Sequence, residues 1–245
     1  MEEGKLLILP PNYDIAFMQA TYLGHSCFQL HINGKNIVFD PFVRPNELAQ
    51  LAGVLIDDIK ADYILVSHAH DDHISDLVYL ANNTDAVVVA SWEICSWLEK
   101  QGIKNSHPMN VGGGWDFEFG RINMVHASHS SSFSDGTYGG IASGFVIESE
   151  GKTLYYAGDT GLNMEMKLLG EKYLIDSAIL PIGDNFTMGY KDASLCSKYV
   201  NAKQVIGMHF DTFGYIKIDH LLVQKYFNEQ NINLIIQKIK QTILI

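Results

Sequence analysis

Cysteine is scarce in this 245-residue chain: Cys27, Cys95 and Cys196 stand far apart and never form a C-x-x-C pair. An odd and sparse set excludes a disulfide framework. It fits reduced thiols in a cytoplasm, each acting as a small buried apolar residue. Basic residues are few as well. Against 28 Asp and Glu stand 17 Lys and Arg, a formal net charge of −11. Such a chain repels phosphate backbones, so no nucleic acid partner is expected, although bound divalent cations would invert the field locally. Long apolar runs are missing. None approaches the roughly 20 residues of a membrane helix, so no membrane association is expected. The start, Met1-Glu2-Glu3-Gly4-Lys5, is acidic, and Leu6 to Leu9 is too short for a signal peptide. No Ser-His-Asp or Cys-His arrangement is visible. Gly112-Gly113-Gly114 precedes a β-like run instead of opening a helix, so no phosphate cradle is present.

What remains is an ordinary globular composition, 47% hydrophobic and 18% charged. The length suits a single domain over 1–245 with a full core. Residues 1–17 read as a lead-in or N-terminal extension, broken by Pro10-Pro11-Asn12. From Thr21 the chain reads as a strand, then as a hairpin of Cys27–Ile32 and Ile37–Phe39 around Asn33-Gly34. Glu47 to Ile59 has room for a short helix. Tyr63 to Val66 is a buried strand, Ile74 to Asn82 a helix, Ala86 to Ala90 a strand, and Trp92 to Gln101 a helix stopped by Gly102. β-like runs at Trp115–Phe119 and Ile122–Ala127 lead into a Ser/Gly-rich loop from Ser128 to Gly140. The second half repeats this logic. Strands Ile141–Ser149 and Thr153–Ala157, helix Met164–Gly170, strand Ser177–Leu180, helix Asp192–Val200 capped by Asp192, strand Val205–Met208, helix Asp219–Asn228 and an extended tail from Leu234 to Ile243 follow in order. Early hairpins, then strands alternating with helices, then the same again, predict two mixed sheets with helices outside.

The chemistry concentrates in Ser67-His68-Ala69-His70-Asp71-Asp72-His73, an H-x-H-x-D-H run directly after an apolar strand. Neutral imidazoles and carboxylates together suit borderline divalent ions such as zinc. Residues two apart past a strand point the same way, so His68 and His70 can share one ion. Asp72 and His73, where the chain turns into helix, are placed to reach a second. Two ions need further ligands, which belong at strand ends where loops gather functional groups. His129 closes a β-like run, Asp159 stands between two small residues in Gly158-Asp159-Thr160 after another, and His209 follows Val205-Ile206. His126 competes with His129: in a strand the two face opposite sides, and spacing alone leaves the choice open. His31 and His107 read as ordinary solvent or turn histidines, and His220 as a helix-start residue. His25, in a Gly-His-Ser turn, is either a donor behind the ligands, a substrate contact or a plain turn residue.

The H-x-H-x-D-H run, the later His, the G-D-T and the final strand-end His occur in the order seen in the metallo-β-lactamase superfamily, which this sequence resembles. Further motifs look like one branch of it, small stand-alone metal-dependent hydrolases related to ascorbate-6-phosphate lactonase. These are the Thr21-to-Phe28 segment, Asp40-Pro41-Phe42, Ala127-Ser128-His129-Ser130-Ser131, the Pro181-to-Gly189 run containing Asn185, and Met208-His209-Phe210-Asp211-Thr212-Phe213. The resemblance implies an αβ/βα sandwich with the site at one edge of the two sheets. It also implies two divalent metals, zinc first with manganese or iron as alternatives. Carried over, His68, His70 and His129 would hold the first metal, Asp72, His73 and His209 the second, with Asp159 bridging. His25, Asn185 and Asp211 are the candidates for contacts around the substrate. Asp211 departs from the neutral residue expected there and would place a carboxylate near the substrate mouth.

The expected function is metal-dependent hydrolysis of a small-molecule ester, lactone or phosphate ester. A metal-bridging hydroxide is the expected nucleophile, and Asp72 the catalytic residue that orients it and takes its proton. The alternatives are a phosphodiesterase or nuclease on the same site, or a di-iron redox protein; the latter would want a carboxylate where His70 stands. Ser128 to Gly140, with Phe133 and Tyr138, is a candidate lid. A homo-oligomer is left open.

Overall fold

The computed structural model describes residues 18–245, and the candidate extension at 1–17 lies outside the described residues. Strands β1 (Gln19–Gly24), β2 (Cys27–Ile32), β3 (Lys35–Phe39), β4 (Tyr63–Leu65), β5 (Val87–Ser91) and β6 (Ser106–Met109) form one sheet in chain order. Strands β7 (Gly114–Phe117), β8 (Gly120–His126), β9 (Ser143–Ser149), β10 (Lys152–Tyr156), β11 (Ser177–Pro181), β12 (Gln204–Met208) and β13 (Leu234–Ile235) form the other, again consecutively. A last strand, β14 (Thr242–Leu244), returns to the first sheet beside β1. Each sheet begins with antiparallel hairpins and ends in parallel strands.

Alternation along the strands decides what each face buries. Ile37 and Phe39 point into the core between the sheets, together with Phe145, Leu154 and Tyr156 of the second sheet. Val38 between them points outward and packs with Ile64, Val88 and Ala90 against the helices of the first half, α1 (Glu47–Leu51), α2 (Asp71–Ile74), α3 (Leu77–Thr84) and α4 (Trp92–Lys100). Helices α5 (Glu165–Lys172), α6 (Tyr190–Tyr199) and α7 (His220–Glu229) cover the second sheet. The four layers are helix, sheet, sheet, helix. The predicted Asn33-Gly34 hairpin closes with Ile32 opposite Lys35 and both turn residues at positive φ, the two-residue geometry whose twist matches the strands.

Several expected elements change shape. The helix predicted over Ile74–Asn82 is two helices, broken at Ser75-Asp76. Asp76 leaves the helical path because its buried carboxylate accepts from the backbone N–H groups of Val43 and Arg44 and from the Arg44 side chain. Strand β6 was not foreseen, since Pro108 argues against a strand. It is tolerated at the sheet edge, where a missing donor costs nothing. Helix α6 starts at Tyr190 with Gly189 as its cap, so Asp192 lies in the first turn and does not cap it. The tail is not one extended piece: β13 pairs with β12 in one sheet and β14 with β1 in the other, so the C-terminus laces the two together.

The parallel strands, with β1 and β8, run so that the loops after β1, β3, β4, β8, β10 and β12 gather at one edge of the sandwich. Hydrogen bonds tie these loops across the sheets: His209 N–H donates to His25 C=O (2.9 Å) and Ser143 N–H to Ser67 C=O (3.0 Å).

Candidate metal centre

Every residue of the histidine cluster sits just past a strand end. His68, His70, Asp72 and His73 follow β4, with α2 beginning at Asp71. His129 follows β8, Asp159 follows β10 and His209 follows β12 directly. The local backbone is bent to do this. His25, Asp40, His209 and Asp211 all have positive φ, and Gly158 does too (+61°). Such conformations cost free energy in non-glycine residues and collect where a side chain must be aimed. At Gly158 a Cβ would stand 2.4 Å from the Ser143 carbonyl oxygen, so glycine is needed for the chain to turn Asp159 inward.

The structure brings together all seven residues expected as ligands. His68, His70 and His129 form one group whose donor atoms lie within 4.8 Å of one another. Asp72, His73 and His209, with His25, form a second. Asp159 reaches both: its Oδ2 is 2.9 Å from His209 Nε2, 3.4 Å from His73 Nε2 and 3.7 Å from His129 Nε2. His126 stays apart, at the end of β8 beside a shallow depression lined by α5 residues.

A shared cation would supply what these atoms otherwise lack. His73 Nε2, His209 Nε2 and Asp159 Oδ1 are buried and make no hydrogen bond, although His209 Nε2 is close to the Asp159 carboxylate. Several buried polar atoms left unpaired around one point are costly, and a bound ion relieves them together. The tautomers agree. Asp40, fully buried after β3, accepts from His73 Nδ1 (2.8 Å) and from the Ser67 hydroxyl (2.6 Å). Ser67 Oγ then accepts from His68 Nδ1 at 2.9 Å. In their neutral forms both imidazoles therefore present an Nε2 lone pair to the cluster. Tyr156 also donates to Asp40 (2.7 Å). The sequence contained Asp40 in a motif, but nothing in its spacing gave it this task; only the fold shows its reach to both groups.

Electrostatics follow from crowding. Burial pushes His68, His70 and His129 down, helped by neighbouring imidazoles. Burial also drives His25 down, to about 4, so it is neutral at ordinary pH. Burial opposes ionisation of Asp72 and Asp159, but the surrounding histidines hold both carboxyls below the usual range. Burial likewise opposes charge on His209 and His73. The Asp159 carboxylate overcomes it, lifting His209 to about 9 and His73 above its ordinary value. These protons occupy places that a divalent cation would take.

The substrate-side candidates fare differently. His25 is buried beneath Asp72, not in the cavity: its Nε2 donates to Asp72 Oδ2 at 3.0 Å and its Nδ1 faces Thr212 Oγ1 at 2.9 Å. Asp211 does not face the mouth. Its carboxylate accepts from Ile218 N–H (3.0 Å) and pairs with His220 Nε2 (2.6 Å), pinning the loop ahead of α7. Asn185 sits in an exposed turn and does not line the cavity; its neighbour Phe186 does. The expected lid is also corrected. Phe133 is buried and stacked on Trp97 (centroids 4.6 Å apart), and Ser131 Oγ accepts from Ala69 N–H, so the loop is fastened down. The aromatic wall comes instead from Phe186, Phe213 and Tyr215, which the sequence reading missed. The cavity they border, of about 830 Å³, opens over His70, Asp72, His129, Asp159 and His209.

Fold and cluster together define a metal-dependent hydrolase of the β-lactamase superfamily. Residues 19–209 match the family described as the beta-lactamase superfamily domain, and the chain belongs to it. It is 49% identical over 213 residues to a metal-dependent hydrolase of Flavobacterium johnsoniae, covering 86% of this chain and 93% of that protein. A metal-dependent hydrolase of Methylacidiphilum infernorum is 47% identical over 228 residues, covering 93% of this chain and all of the other. Among solved structures, Igni18, a metallo hydrolase from the archaeon Ignicoccus hospitalis, superposes with a TM-score of 0.83 at 32% identity, covering 93% of this chain and 98% of that one.

Proposed function

We propose that this chain hydrolyses a small-molecule ester, lactone or phosphate ester at a two-cation centre. His68, His70 and His129 would hold one cation, Asp72, His73 and His209 the other, and Asp159 would contact both. The observation that carries this is the position of Asp159, within 3.7 Å of imidazole nitrogens from both groups while its second oxygen is buried without a partner. Bound divalent cations would supply an acidified water as nucleophile and a Lewis acid for the substrate oxygen. Zinc suits the His/Asp donor set, with manganese or iron as alternatives.

The chain's own residues supply the rest. Asp72 lies at the cavity floor, a quarter exposed, with one carboxylate oxygen fixed by the neutral His25. It is placed to receive the proton that the nucleophile sheds and to pass it to the leaving group. Asp40 sets the tautomers of His68 and His73. Ser130 Oγ, 3.3 Å from His70 Nε2, does the same for His70 and leaves Nδ1 for the cluster. Among the described residues no helix is long and apolar enough to cross a membrane, and all three cysteines are buried and unpaired, which supports a cytoplasmic site of action.

Purified protein loaded with a single defined metal and assayed against esters, lactones, phosphodiesters and phosphomonoesters tests the activity. Asp159→Ala should lose turnover and most of the metal. Full turnover by that variant would overturn the two-cation arrangement.

A further inference from the structure

Resting on that reading of the site, we propose that the substrate is an uncharged, apolar ester or lactone, and that substrates with a remote anionic group, phosphorylated ones included, are disfavoured. Two independent features of the cavity carry this.

The first is its wall. Phe186, Phe213 and Tyr215 are 51%, 37% and 78% exposed, and all three border the cavity that lies over the cluster. Phe186 and Tyr215 meet edge to face with centroids 6.2 Å apart, and Phe213 is braced edge-on by His25 at 5.4 Å. Pro45 also lines it. Solvent-facing aromatic surface gathered around a polar floor marks a place for an apolar ligand body, with the floor reserved for the reacting group.

The second is charge. No lysine or arginine among the described residues lines the cavity; outside the His/Asp cluster at its floor, the charged side chain that lines it is the carboxylate of Glu47. Arg44, next to Pro45, is committed elsewhere: its Nε is 2.5 Å from Asp76 and its guanidinium lies 4.1 Å over the Tyr79 ring. The nearby start of α1 offers nothing to an anion either, because the Asn46 side chain already accepts from Leu48 and Ala49 N–H. Recognition of a phosphate or carboxylate away from the reacting bond normally uses an arginine fork, a lysine or a free helix N-terminus. Here such a group would meet aromatic rings and Glu47. In the reaction, water adds its oxygen to the acyl carbon, the acyl C–O bond breaks, and the proton released from the water ends on the departing alkoxide. The products are an acid and an alcohol.

Two measurements on the metal-loaded full chain test this separately from the hydrolase reading. In the first, kcat/KM is compared for p-nitrophenyl butyrate, its succinyl analogue with a free remote carboxylate, and its 4-phosphonooxybutyryl analogue with a remote phosphate. The butyrate should lead by about 10-fold or more, a difference of ~1.4 kcal/mol. In the second, binding of 4-phenyl-2-butanone, which cannot be hydrolysed, is compared with the same ketone bearing a ring sulfonate. The uncharged ketone should bind about 10-fold tighter, and Phe213→Ala should erase most of that lead with metal content unchanged. Tighter binding of the sulfonate, or a preference for the succinate or phosphate, overturns the proposed substrate class while leaving a hydrolase. If the ketones bind as expected but no ester, lactone or phosphate is turned over, the hydrolase reading falls and the pocket's preference stands.

Discussion

Asp40 Oδ2 stands 2.8 Å from His73 Nδ1, and the same oxygen takes the Ser67 hydroxyl whose Oγ holds His68. One buried carboxylate thereby orients one imidazole from each of the two side-chain groups. Asp40→Asn keeps the shape but puts an amide N–H or a weaker acceptor where three donors converge. Metal affinity should fall by about 10–100-fold with the fold retained. Competition against a chromophoric chelator measures it, with circular dichroism as the control. Parent-like affinity would show that Asp40 only packs.

His25 presents a different case, since it supports a residue rather than a metal. Its Nε2 fixes the Asp72 oxygen at 3.0 Å, and burial keeps it neutral near pH 7. His25→Phe would free that carboxylate to rotate. The expectation is a drop in kcat of about 10-fold or more with KM and metal content nearly unchanged. A loss of metal in step with kcat would make His25 a ligand instead.

Much of this was legible in the sequence, and what was not has physical causes. The cluster of His and Asp side chains could be read because each member follows a strand with a short-range signature, as in His68-Ala69-His70 after Tyr63–Val66. The two-sheet architecture followed from the alternation of hairpins and helices. Side-chain direction past a turn could not be read. Asp211 looked like a mouth carboxylate but turns back to His220 and Ile218 because its own φ is positive. The aromatic wall was missed because Phe186, Phe213 and Tyr215 lie on two loops far apart in sequence, with no periodicity to link them. Phe133 misled for the converse reason: a phenylalanine in a Ser/Gly loop looks mobile until its contact with Trp97 is seen.

Phe133 itself gives a clean test of that correction. Buried against α4, it should behave as core: Phe133→Ala is expected to cost about 3 kcal/mol. At 2–4 °C per kcal/mol for a chain of roughly this size, Tm should fall by about 6–12 °C. KM for a turned-over substrate should stay within about twofold at a temperature where the variant is folded. A raised KM with an unchanged Tm would restore the lid.

Metal uptake should release protons, with a pH dependence set by His209. Without metal, the Asp159 carboxylate raises His209 to about 9, so it is protonated at pH 7, and the Asp159 and Asp40 carboxylates push His73 in the same direction. A cation at either Nε2 must expel a proton, whereas His68, His70 and His129, held low by burial, have none to give. Apparent affinity should therefore rise as the pH climbs from 6 through about 9, and rise less steeply once His209 has lost its proton. Zinc titrations by calorimetry in buffers of different ionisation enthalpy count the protons: one or more per protein is expected at pH 7, and one fewer above about 9, where His209 is already neutral. Asp159→Asn removes the charge that raises His209, so it should cut the proton count at pH 7 even where enough zinc is supplied to fill the site. A count that stayed the same would place the released protons on other groups.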